Sequence, residues 1–324
     1  MKTANRIFVF AGALLAVANL AYAQSYPTRP VRLVVPFAPG GTTDIVARIV
    51  AAKIAPFLGQ QMVVDNKAGA GGAIGAAEIA KIAPDGYNLG MATVSTVATN
   101  PAMFPATTTY DPVNDFTPIV NIAATPNVIE VNPSFPARDY KGFVAEIKAH
   151  PDKYSYASTG TGSITHMQME LFKAQTGLSI VHVPYKGAGP ALTDIMGNQV
   201  GVMMDNMPSS FPYIKAGKLI PIVVASDKRV PGLDDVPTLA EVGLPQVNRM
   251  AFYGIYGPKG LPPEVVAKVN AAVKKVLQDP EVRKRIEETG SVVIGNSPQE
   301  FAAQIKNEFE VYKAVVKERN LKPE

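Results

Sequence analysis

Cysteine and tryptophan are absent from the 324 residues, and only three histidines occur, His150, His166 and His182. Without cysteine there is no disulfide, no thiolate zinc site, no iron–sulfur cluster, no cysteine nucleophile and no lipid-bearing residue at a cleavage point. Three separate histidines with no HExxH pattern argue against a histidine-rich metal centre, so neither metal nor cofactor is expected. Charge is equally thin. The 31 Lys+Arg against 27 Asp+Glu give +4, and charged residues make up 18% of the chain. That balance is too weak and too even for a nucleic-acid footprint. Reaction signatures are missing as well: there is no GxSxG elbow, no SxxK pair and no GxxxxGK[ST] phosphate loop. What is plentiful is apolar residues, 47% of the chain, which excludes a disordered chain. The length fits about two domains.

The N-terminus has an export pattern. Lys2 and Arg6 precede an apolar stretch from Ile7 to Leu20, followed by Ala21-Tyr22-Ala23. A basic start, a short apolar core and small residues two apart describe a secretory signal peptide, cut after Ala23. The stretch is too short for a comfortable membrane span. A cysteine-free exported chain points to a bacterial periplasm.

Past that segment, short β-branched runs alternate with amphipathic ones. Strands are expected at 31–35, 62–64 and 87–92, with helices from Thr42 and from Gly72 to Ile82 between them. This β-α-β-α-β order implies a parallel sheet covered by helices. The grammar restarts after residue 140. Helices are expected at 140–149, 163–175 and 190–196, and strands at 154–157, 180–183, 200–204, 219–225 and 251–256. Three helices starting at Pro263, Pro280 and Pro298 close the chain; proline suits a first helical turn. These last helices lack a sheet of their own. A chain that leaves a first lobe, builds a second and returns would accommodate them.

Two loops have the chemistry of an anion site. Pro36-Phe37-Ala38-Pro39-Gly40-Gly41-Thr42-Thr43-Asp44 joins a strand end to a helix start. Open α/β sheets bind ligands at that edge, and helix N-termini accept anions. Ser158-Thr159-Gly160-Thr161-Gly162-Ser163 repeats the physics with more hydroxyls, Ser163 capping a helix and His166 following three residues later. For Asp44 an ordinary first-turn role with Thr42 as cap is expected, and for His166 hydrogen bonding rather than base catalysis. Gly69-Ala70-Gly71-Gly72-Ala73-Ile74-Gly75 has the wrong spacing for a dinucleotide fingerprint and reads as a tight turn.

Six motifs occur in fixed order: PFAPGGxxD (36–44), VDNKxGAGG (64–72), PDGY (84–87), GxGSxxH (160–166), HVPYKG (182–187) and PTLAExG (237–243). Together they resemble the Bug-type solute-binding proteins of tripartite tricarboxylate transporters, across essentially the whole mature chain. The resemblance implies an α/β, two-lobed periplasmic-binding-protein architecture of the type II, Venus-flytrap kind, with a hinge. Residues 24–124 and 249–324 would form lobe 1 and residues 125–248 lobe 2. It implies a small carboxylate ligand, permease subunits as membrane partners, no nucleic acid and a monomeric receptor. The implied ligand set is Phe37, Ala38, Gly40, Gly41, Thr42 and Thr43, often through bridging water; Ser95, Thr96 and Asn100; Ser158, Thr159, Gly160, Thr161, Gly162, Ser163 and His166; and Tyr185 and Asp205. Around Asp205 this chain departs from the family with Met203, Met204 and Met207, which either shape the pocket or pack the core. Three readings stay open: a transport receptor, a ligand-presenting sensor subunit with the same pocket, and a secreted hydrolase using Ser163 or Ser158 with His166.

Overall fold

The computed structural model describes residues 26–319 and 321; the expected signal peptide, residues 1–23, lies outside the described residues. Two sheets organise the chain. In spatial order the first has strands at 292–293, 116–125, 251–258, 88–93, 31–35 and 62–66, and the second at 181–184, 155–158, 202–206, 127–131 and 220–225. β1 (Val31–Val35), β2 (Met62–Asn66) and β3 (Asn88–Thr93) are parallel neighbours, joined through α1 (Thr42–Lys53) and α2 (Ala73–Lys81). That is the expected β-α-β-α-β unit. Its continuation was not legible. β4 (Phe116–Thr125) and β5 (Asn127–Val131) run on from each other with only Pro126 between them, yet belong to different sheets.

The second sheet is contiguous in sequence. After β5 come α3 (Tyr140–Ala149), β6 (Ser155–Ser158), α4 (Ile164–Thr176), β7 (Val181–Pro184), α5 (Ala188–Met196), β8 (Val202–Asn206), α6 (Met207–Lys215) and β9 (Ile220–Ala225). Alternation along its strands feeds two cores, as the period of two requires. Ile129, Tyr156, Met204 and Val223 join a core that continues into the first sheet's. Val128, Ala157, Met203 and Val224 pack against α5 and α6. Met203, Met204 and Met207 are all buried in these cores.

The chain then returns. β10 (Ala251–Pro258) inserts antiparallel between β3 and β4, in the middle of the first sheet. α7 (Pro263–Val276), α8 (Pro280–Glu287), the short edge strand β11 (Val292–Val293) and α9 (Pro298–Glu318) complete it. α9 opens with a full capping box between Ser297 and Glu300, which satisfies two end groups at once.

Both crossings between the sheets meet at a buried amide cluster. Asn127 donates to Gln168 Oε1 at 2.5 Å and accepts from Asn206, while Gln168 donates to the carbonyls of Arg249 (2.6 Å) and Val247 (3.2 Å). Arg249 itself reaches both oxygens of Glu308 on α9 at 2.9 Å and lies over the Tyr312 ring. These amides satisfy the carbonyls of Val247 and Arg249 where the second crossing passes.

Candidate ligand-binding site

Loops at the strand ends of both sheets face one another. On the first lobe, β1 delivers the chain to Pro36, and the loop back to α1 is tied into a knot by Asp44. Its buried carboxylate accepts from Gly40 N–H (3.1 Å), from Asn66 Nδ2 (3.0 Å) and from Arg48 Nε (2.9 Å). Asn66 also donates to the carbonyl of Phe37. These donors outweigh burial and hold Asp44 below the usual carboxylate range, although burial alone would raise it. So Asp44 is more than a first-turn acid: it fixes the loop. The cap of α1 is Gly41 rather than Thr42, and it has no side chain to fill the helix N-terminus. The first N–H groups of α1 therefore meet no capping side chain, at the end of the helix that favours an anion.

The second lobe's counterpart is filled. Ser163 caps α4 by accepting from His166 N–H at 3.3 Å, as its position in the sequence implies. Thr165 accepts from Thr159 N–H at 2.9 Å and exchanges bonds with the Thr159 and Ser163 hydroxyls. Ser158 Oγ lies 2.7 Å from His182 Nε2. Gly162 N–H donates to His166 Nδ1 at 3.1 Å, which places the His166 proton on Nε2. The two imidazoles stack at 4.1 Å. Burial pushes His166 down to about 4 and His182 to about 3, the latter helped by His166, so both are neutral at pH 7. Ser163 Oγ bonds backbone and Thr165, not the His166 ring, so the Ser163–His166 pairing needed for hydrolysis is not assembled.

The lobes touch. Ala38 N–H donates to Lys186 O at 3.0 Å, Thr99 Oγ1 to Gly162 O at 2.7 Å, and Ile164 N–H to Ser95 Oγ at 3.0 Å. Thr42 Oγ1 and Ser209 Oγ are 2.9 Å apart, and Thr42 Oγ1 accepts from Ser209 N–H at 3.2 Å, capping α6 from the other lobe. Glycines permit this approach. A Cβ on Gly71 would stand 2.4 Å from Thr161 O and one on Gly189 2.2 Å from Pro39 O. The turn read from Gly69–Gly72 is real, with φ of 59° at Gly71 and 95° at Gly72, and it also forms part of the contact between lobes.

Between these contacts lies a cavity of about 10 Å³, lined by Phe37, Gly41, Thr42, Thr43, Thr93, Ser95, Thr159, Ala188, Asn206 and Tyr253. That volume suits about one water molecule. Six of the expected residues line it: Phe37, Gly41, Thr42, Thr43, Ser95 and Thr159. Asn100 and Thr161 line a neighbouring cavity of about 350 Å³ with Ala70, Ala73, Phe104 and residues 107–110. Gly160 and Gly162 turn the loop with positive φ values. The N–H groups of Ala38 and Gly40 are already committed. Thr96 is paired with Thr93, Tyr185 donates to Asp194 at 2.7 Å, and Asp205 is buried behind Ser209. Thr93, Ala188, Asn206 and Tyr253 were missed. Asn206 and Ala188 adjoin residues that sequence reasoning named; Tyr253 arrives on the returning β10, which no local pattern announces. The lining contains hydroxyls, amides and backbone but no Lys, Arg or His.

Comparison with known proteins decides the family. The model of the tripartite tricarboxylate transporter family receptor matches residues 46–321. The chain belongs to that receptor family. BugT of Bordetella pertussis is 33% identical over 322 residues, covering 98% of each chain. A solved structure described as a periplasmic transporter is 50% identical, with a TM-score of 0.91, covering 93% of this chain and 100% of that one. The MatC protein of Rhodopseudomonas palustris, solved with bound malate, is 35% identical with a TM-score of 0.86, covering 90% and 100%. The receptor's two-lobed α/β fold is that of these periplasmic proteins.

Proposed function

We propose that this receptor captures a small organic acid between its lobes and delivers it to the membrane subunits of a tripartite transporter. One observation carries the reading. The N-terminus of α1, without a capping side chain, opens beside a cavity lined by hydroxyls and amides. Such a site holds a carboxylate by N–H groups, hydroxyls and bridging water rather than by a bidentate arginine. The malate bound to MatC supports the same chemistry here. Of the ligand set implied by sequence, Phe37, Gly41, Thr42, Thr43, Ser95 and Thr159 are the direct contacts in this proposal, and the remainder shape and support the loops. Asn206 and Tyr253 join the contacts.

The protein works as a binder rather than an enzyme, as a monomer, in the periplasm after loss of residues 1–23. Residues 24–124 with 249–324, and residues 125–248, move as two bodies about the crossings near 123–127 and 247–252. Short extended crossings allow this through small backbone changes at their ends. A ligand touching both bodies favours the closed form by its differential affinity.

A melting screen of the mature protein tests this, with malate first and then other mono-, di- and tricarboxylates. At about 100 times Kd the ligand adds about 2.7 kcal/mol, a shift of a few degrees for a chain of this size. X-ray scattering with the stabilising acid should show a smaller radius of gyration. Stabilisation by no carboxylate would overturn the ligand class; stabilisation with an unchanged radius would overturn closure alone.

A further inference from the structure

Two carboxyl groups are buried together in the second lobe, and neither has a cation. Glu130 on β5 and Asp205 on β8 are both fully buried, on the sheet face that packs against α5 and α6. Among the described residues, no Lys, Arg or His lies within ion-pair distance of either. The charged and titratable groups on the packed elements are otherwise engaged. On α1, Asp44 and Arg48 pair with each other; on α5, Asp194 accepts from Tyr185; on α6, Lys215 lies over the Phe211 ring. From β10 only Tyr253 feels the pair, and burial first, then Asp205, pushes its hydroxyl up.

Counting protons across this cluster gives a definite answer. Ser210 Oγ is 2.7 Å from Glu130 Oε1 and 2.9 Å from Asp205 Oδ2. A hydroxyl has one proton. Two ionised carboxylates would leave one of these contacts with an acceptor facing an acceptor. One carboxyl must therefore be the acid. Asp205 is the better-served anion: its Oδ2 accepts from Ser209 Oγ at 2.6 Å beside the Ser210 contact, whereas Glu130 has Ser210 alone; the second oxygens, Glu130 Oε2 and Asp205 Oδ1, are alike in having no partner. Donors aimed at a carboxylate favour its ionised form.

We infer that Glu130 is a neutral carboxylic acid that donates to Ser210, and that Asp205, the single anion of the pair, is a positioning residue that sets Ser209 for its bond with Thr42 across the cleft. With Ser210 giving its proton to Asp205, Ser209 gives its own to the same oxygen. The lone pairs of Ser209 Oγ are then free to accept from the Thr42 hydroxyl at 2.9 Å. The direction of a three-hydroxyl chain, and with it the lobe contact at the mouth of α1, follows from where one proton sits. Burial agrees with the placement: it raises both groups, Glu130 well above the usual range through burial and then the neighbouring Asp205, and Asp205 only to about 6. The bearing on ligand capture rests on the receptor reading above. The test uses no ligand, so the two fail separately.

Infrared spectra of the mature protein at pH 7 should show the carbonyl band of a protonated, buried carboxyl, lost in Glu130→Gln and kept in Asp205→Asn. Absence of the band from wild type, or its survival in Glu130→Gln, overturns the assignment. Unfolding by denaturant at pH 6 and pH 8 gives a second readout. A proton held by the fold but not by the unfolded chain makes stability fall as pH rises, by about tenfold in the folding constant per pH unit between the unfolded and folded pKa values. Wild type should therefore lose more than Glu130→Gln over that interval; equal slopes overturn the proposal. Thr42→Val and Asp205→Asn should be non-additive in stability, by about threefold or more in the folding constant. Strict additivity overturns the positioning role.

Discussion

The two faces of the cleft are built from the same parts and left in opposite states. Each presents a strand end, a glycine-containing loop and a helix N-terminus. On the second lobe, Ser163, Thr165 and Thr159 satisfy one another and α4 is capped. On the first lobe the helix cap is a glycine, and the strongest acceptor in the loop, Asp44, is turned back to hold the loop itself. The difference assigns the labour. In the function proposed above, the first-lobe loop, whose helix end has no capping side chain, receives the anion, and the second-lobe loop, whose hydroxyls already satisfy one another, closes over it. The second lobe also has two helix ends without a capping side chain of their own, α5 behind Gly187 and α6 behind Asn206, and the first lobe fills the α6 end with Thr42.

That asymmetry can be broken most severely at Gly41. Its φ is an ordinary −86°, so a side chain is excluded by space and not by backbone strain. A Cβ there stands 3.3 Å from the Ala188 Cβ of the opposite lobe. Gly41→Val, which adds two further carbons beside the cavity, is expected to remove ligand-induced melting shifts entirely while leaving the ligand-free melting point near that of wild type. Calorimetric titration showing wild-type affinity would place the anion elsewhere.

Asp44→Ala should come next. It strands Gly40 N–H and the Asn66 amide, each at the scale of an unsatisfied buried donor, about 1–3 kcal/mol. Both stability and binding are expected to suffer, since the loop loses the group that holds its shape. Because the folded-state pKa of Asp44 is depressed, its contribution is present above the unfolded value near 4 and is lost as pH falls through the folded one. The gap between wild type and Asp44→Ala should therefore narrow in acid, as denaturant titrations at pH 7 and pH 3 would show; a constant gap would mean that packing, not the carboxylate, was lost.

The smallest effect belongs to Ser163→Ala on the finished face. Loss of a cap costs about 1 kcal/mol, or about 1–2 °C in melting point for a chain of this size. Ligand affinity should change less than in either first-lobe variant. If Ser163→Ala instead weakened binding more than Asp44→Ala, the two faces would have to exchange roles.

Much of this was legible from sequence because local chemistry dictated it. Periodicity gave the parallel β1-β2-β3 unit, prolines marked the starts of α7, α8 and α9, and Ser163 announced a cap that the structure contains. The glycine loop at 36–44 pointed to the cleft. What escaped was set by distant partners. β4 and β5 were hidden because Pro118, Pro126 and the buried Asn121 and Glu130 do not read as a strand interior; Asn121 is tolerated there because Asn296 and Gln304 arrive from the end of the chain. α6 has Pro208 and Pro212 within nine residues. Ala38, Gly40, Tyr185 and Asp205 were expected at the ligand, and each already has a partner that no spacing rule reveals.

The place of β10 has a consequence for how the molecule is made. The second sheet has all its strands in sequence by Ala225. The first sheet does not: its strand between β3 and β4 is residues 251–258, more than 150 positions after β3 (Asn88–Thr93). Until those residues arrive, β3 and β4 each expose an unpaired edge, the kind of surface that invites wrong pairing. The sheet that carries the 36–44 loop is thus the last to be completed, and a chain emerging N-terminus first would have the whole of the second sheet available before the first could close its own ladder.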